Sequence, residues 1–139
     1  MKKLNLLSTM LLASLISCHA HAANTCSVLG AHEPNTNVYD GPTWCEYVNL
    51  DSIIVRGPFS ANHTKVLGKT DISGPVQSGD SQFQDVIIHS SLSRTKVILS
   101  QNTTVNGDLV FEGVKGRVYI DKTSKVTGKI VNAEIHQVG

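Results

Sequence analysis

Residues Val97 to Glu112 read VILSQNTTVNGDLVFE, and twenty-one residues later Val118 to Ala133 read VYIDKTSKVTGKIVNA. Val97/Val118, Val105/Val126, Gly107/Gly128 and Val110/Val131 are identical, while Leu99/Ile120, Thr103/Ser124 and Leu109/Ile130 are close replacements. β-Branched residues and glycine held at fixed offsets over about twenty residues mark stacked strands. Weaker copies lie upstream. Thr64 to Lys69 matches the second half of the unit, and Val86 to Ser91 matches its opening.

Outward from this repeat the same texture continues. Ile53 to Val55, Gln84 to His89, Lys96 to Leu99 and Arg117 to Ile120 are short β-branched runs separated by Gly, Asn, Ser or Lys. No apolar stripe of helical period appears beyond residue 22. The expected fold is all-β, and two architectures compete for it. One is a short parallel β-solenoid of about four irregular rungs over residues 50–139, with Gly107 over Gly128 at a tight corner. The other is an antiparallel meander or sandwich, in which Asn106-Gly107 would be a two-residue hairpin turn. The equivalent pairs Thr127-Gly128 and Leu67-Gly68 keep the glycine and not the asparagine, which favours the solenoid.

The V-x-G-x-[LI]-V units Val105 to Val110 and Val126 to Val131 resemble the coils of bactofilin-like, polymer-forming β-helices. The resemblance covers roughly Thr95 to Ala133 and implies compact coils that associate end to end. It implies no cytoskeletal role here, because such scaffolds resemble cytoplasmic proteins and this chain begins with an export-like leader.

That leader is residues 1–22. Lys2 and Lys3 form a positive start, Leu4 to Ile16 an apolar run too short for a permanent span, and Ala20-His21-Ala22 a cleavage signal. The expected location is the periplasm or the exterior of a bacterium. Leu15-Ile16-Ser17-Cys18 also resembles a lipobox, so acylation at Cys18 and an outer-membrane lipoprotein form the alternative. Membrane attachment is expected only in that case. Either cleavage leaves Cys26 and Cys45, which in an oxidising compartment read as one disulfide.

Residues 23–49 contain both cysteines, Tyr39, Trp44, Tyr47 and the breakers Gly30, Pro34, Gly41 and Pro42. They are expected to form an irregular, disulfide-pinned cap with at most one short strand. Without Lys2 and Lys3, ten basic residues face eleven acidic ones, so no nucleic-acid partner is expected.

Chemistry is sparse. His32, His63, His89 and His136 show no zinc-like spacing, and no metal or other cofactor is expected. His89 adjoins Ser90 and lies four residues after Asp85, but no G-x-S-x-G elbow accompanies them. Asp71, Asp80, Asp85, Asp108 and Asp121 could supply a carboxylate pair for glycoside hydrolysis. No catalytic residue is assigned.

If Val97, Leu99, Val105, Leu109 and Phe111 point inward with period two, then Ile98, Val110, Tyr119 and Val131 point outward as candidate contacts. Corners that shift the parity would instead make them core. The expected function is a non-enzymatic exported protein that binds itself or another envelope or secreted protein. A small binding or inhibitor module using Tyr39, Trp44 and Tyr47 is the second reading, and a carbohydrate-active enzyme the third.

Overall fold

The computed structural model describes residues 25–91 and 95–139. The expected leader, residues 1–22 with Cys18, lies outside them. The chain winds as a parallel β-solenoid with three faces. It enters through β1 (Thr25–Val28) and β2 (Ala31–His32), then turns back into the first coil. That coil is β3 (Val38–Asp40), β4 (Thr43–Glu46) and β5 (Asn49–Leu50). Next come β6 (Ile53–Arg56), β7 (Phe59–Asn62), β8 (Lys65–Val66), β9 (Thr70–Ile72), β10 (Val76–Gly79) and β11 (Gln82–Phe83). The later coils contain β12 (Val86–Ser90), β13 (Lys96–Ser100), β14 (Thr104–Val105), β15 (Leu109–Gly113) and β16 (Gly116–Asp121). The last are β17 (Lys125–Val126), β18 (Ile130–Val131) and β19 (Ala133–Val138).

Face 1 stacks β1-β4-β7-β10-β13-β16-β19, face 2 stacks β5-β8-β11-β14-β17, and face 3 stacks β2-β3-β6-β9-β12-β15-β18. Val105 pairs with Val126 and Leu109 with Ile130 in parallel, and the Gly128 N–H donates to the Gly107 carbonyl at 3.0 Å. Asn106-Gly107 is therefore a stacked corner, and the antiparallel alternative does not hold. Six parallel strands of face 1, β4 to β19, exceed the four rungs expected. Stacking begins at Val38, ahead of the composition break near Leu50, and residues 25–50 contain five strands where at most one was expected in the cap.

Rung length explains the difference. Face 1 aligns Phe59 with Val76, seventeen residues on, but Val76 with Val97 and Val97 with Val118, twenty-one on each time. Corners absorb the extra residues without disturbing the strands. Val86 pairs with Thr70 and Leu109 on face 3, whereas Val97 lies on face 1, so the likeness of those two runs reflects shared strand chemistry and not register.

The interior is built from columns. Phe59, Val76, Val97 and Val118 form one, Val66, Phe83 and Val105 another, and Val55, Ile72, Ile88 and Phe111 a third, all buried. Buried Thr64, Ser81, Thr103 and Ser124 line the corner between faces 1 and 2. There each backbone N–H from Thr64 to Thr103 meets the hydroxyl oxygen one coil on, at 3.0, 3.5 and 3.1 Å. Hydroxyls thus satisfy backbone donors that the corner withdraws from the sheet. At the corner entering face 1, Gly41-Pro42, Gly57-Pro58 and Gly74-Pro75 stack.

The first end is closed by a bent hairpin. β1 runs antiparallel to β4, with Cys26 opposite Cys45, and β2 runs antiparallel to β3. The Cys26–Cys45 disulfide is formed, as the pair of cysteines predicts. His32 stacks on the Tyr39 ring at 4.3 Å.

Candidate functional site

Face 1 presents a grid of side chains to the outside, because alternate residues of each parallel strand point away from the core. Its central column runs Trp44, Ser60, Gln77, Ile98, Tyr119 and His136. A flanking column carries Glu46, Asn62, Gly79 and Ser100. On the other flank stand the three corner prolines, followed by Lys96 and Arg117.

This grid is not level. Between Trp44 and Ile98 stand Ser60, whose side chain is short, and Gln77, and both line a depression. The result is a trough of about 440 Å³, walled by Pro42, Pro58 and Pro75 and ended by Trp44 and by Lys96 with Ile98. A polar hollow of about 250 Å³ adjoins it, bordered by Glu46, Asn62, Gln77, Ser100 and Gln101. Gly79 forms its floor, where an added Cβ would lie 2.6 Å from Gln101 Oε1 and 3.4 Å from Asn62 Oδ1. Beyond the trough the column is filled: Tyr119 stacks on His136 at 4.7 Å, and Lys96 Nζ sits 5.5 Å from the Tyr119 ring centre.

The expected contact residues separate. Trp44 is 44% exposed and belongs to face 1 rather than to a loop. Tyr47 is 53% exposed, stands at the next corner in the left-handed conformation, and stacks on His63. Tyr39 is only 6% exposed and fills the interior of the first coil, so it is no surface contact. Ile98 and Tyr119 are half-buried on face 1. Val110 and Val131 are paired on face 3, half-buried and exposed respectively. The period-two parity therefore holds, but the outward residues belong to two faces.

The candidate catalytic sets are dispersed. His89 has Asp71 Oδ1 at 2.7 Å from Nε2 and Glu112 Oε1 at 3.2 Å from Nδ1, all on the outside of face 3. Ser90 is buried, and its hydroxyl donates to Thr95. Asp85 instead accepts the Asp108 N–H at 3.0 Å, and Asp108 accepts the Lys129 N–H at 2.8 Å. Asp80 lies 3.2 Å from His63. Asp121 accepts the Gln101 N–H, and this bond with Thr123 holds its carboxyl down at about 2. These carboxylates link one coil to the next, or a coil to its own turn.

A second surface is the open last coil. Among the described residues nothing pairs with the outer edges of β17, β18 and β19. Val126, Ile130 and Ile135 continue interior columns there. Ile135 is 50% exposed, although Val118 beneath it in register is sealed at 0%.

Sequence reading missed the trough. The triplet of Gly-Pro pairs at 41, 57 and 74 was the available signal, since it marks one wall and the register of three coils. No known protein family, curated protein or solved structure matches this chain.

Proposed function

We propose that this protein is an exported, non-enzymatic building block of a bacterial envelope or secretome that pairs with a second copy of itself through its last coil. The observation that carries this is the exposure of Ile135 in a column otherwise sealed from water. A half-exposed core column beside three unpaired strand edges is an assembly surface unless covered or charged.

Symmetry favours a tail-to-tail pair. A two-fold axis through Ile135, perpendicular to the solenoid, lays β19 antiparallel on its own copy. Ile135 then meets itself, while Glu134 lies opposite His136 of the second copy, giving outward acid–imidazole pairs. Filaments of the bactofilin-like kind are disfavoured, because at the opposite end β1 and β2 run antiparallel to β4 and β3 and interrupt the parallel stacking.

Export rests on the leader-like residues 1–22 and fits the Cys26–Cys45 disulfide, which persists in oxidising compartments. The non-enzymatic reading rests on carboxylates and histidines engaged in coil-to-coil bonding rather than gathered in a cleft.

Size-exclusion chromatography with light scattering tests the pairing. The mature protein is expected to be a dimer and Ile135→Glu a folded monomer. A wild-type protein that stays monomeric over a wide concentration range, or a dimer indifferent to Ile135→Glu, overturns it.

A further inference from the structure

We infer that the trough on face 1 binds a neutral, unbranched hexose polysaccharide, laid along the solenoid axis between Trp44 and Ile98. This inference is independent of self-pairing, because the trough lies on the outside of the first four coils and the paired edge is the last.

Shape sets the first limit. Trp44 and Ile98 are three rungs apart, about 14 Å at the spacing of neighbouring strands, so the site accommodates an extended chain of two or three rings. The trough is straight because Ser60 and Gln77 occupy successive rungs of one column. A branched ligand would collide with the corner prolines on one flank.

Chemistry sets the second. Set into a mostly apolar lining, the Ser60 hydroxyl and the Gln77 amide face the trough itself, and the amides of Asn62 and Gln101 border the hollow that adjoins it. Each of these side chains both donates and accepts, which matches a ligand whose every hydroxyl does the same. The exposed Trp44 indole offers a flat apolar surface for the C–H face of a pyranose ring, and the prolines extend it.

Charge and backbone then exclude competitors. One cation, Lys96, and one carboxylate, Glu46, border the combined site at its two ends and balance each other. A nucleic acid or polyanion would need a row of cations. A peptide adding as a strand needs an open edge, but β4, β7, β10 and β13 are paired on both sides.

Trp44 is the sole tryptophan of the chain, so its fluorescence reports directly on the trough. The test titrates the mature protein with neutral hexose hexamers of the β-1,4, β-1,3 and α-1,4 series, with oligogalacturonate as the charged control. Binding is expected with at least one neutral series, with a shift in Trp44 emission and an affinity little changed by salt. Gln77→Ala is expected to weaken it by about tenfold or more with the fold intact by circular dichroism. Trp44→Ala, followed by calorimetry, is expected to abolish it. The inference is overturned if no neutral series shifts the emission, if only oligogalacturonate binds, or if Gln77→Ala and Trp44→Ala bind as well as the wild type.

Discussion

Gly57 stacks on Gly41 so closely that a Cβ on Gly57 would lie 2.7 Å from the Gly41 carbonyl carbon. Gly57 also has a φ of +155°, which side-chain-bearing residues rarely adopt. Gly57→Ala should therefore push two coils apart at the corner that walls the trough, at a cost of about 1–3 kcal/mol. Chemical denaturation measures it. An alanine variant as stable as the wild type would mean that the corner relaxes freely.

Thr70 should respond in the opposite direction. It sits between Ile53 and Val86 in an interior column, and its buried hydroxyl has no hydrogen-bond partner among the described residues. Thr70→Val keeps the shape and removes an unsatisfied polar group, so it should stabilise the protein by about 1 kcal/mol. A loss of stability in the same denaturation assay would show that the hydroxyl has an acceptor.

The disulfide joins β1 to the first coil across nineteen residues of sequence. Cys26→Ser with Cys45→Ser should release β1 from the first coil, whose β4 it joins through this bridge. The release should be local, because β4 remains paired with β7 when β1 detaches. Hydrogen exchange should show faster exchange in residues 25–32 and near-native protection in β10 and β13. Uniform loss of protection would contradict this.

Acid should weaken the corner at Gln101. Asp121 has its carboxyl lowered to about 2 by the Gln101 N–H and the Thr123 hydroxyl, from an ordinary value of 3.8. A depressed folded-state value stabilises the fold above the unfolded value, and this contribution disappears as pH falls through about 2. Wild type should therefore exceed Asp121→Asn in stability near neutrality, with the gap closing between about pH 4 and 2. Denaturation curves for both proteins across that range decide it, and a constant gap would rule out the linkage.

Much of the fold was legible because neighbours in a solenoid repeat one another's chemistry. Val105 over Val126, Leu109 over Ile130 and Gly107 over Gly128 could be paired on paper, since both coils have the same length at those corners. Earlier coils are shorter, so Phe59, Val76 and Val97 share a column without sharing a period. Only the Gly-Pro pairs at 41, 57 and 74 mark that register in the sequence, and they resemble ordinary turns when read singly.

The sequence by itself determined that the chain is all-β, that Cys26 and Cys45 pair, and that alternate residues of the repeat face inward. These follow from local alternation, composition and cysteine count. The tertiary structure decided that Tyr39 is buried and Trp44 exposed, that Ser60 and Gln77 form one depression, and that Ile135 ends a column open. Each of those outcomes depends on the residue one coil away, and corner loops of variable length hide which residue that is.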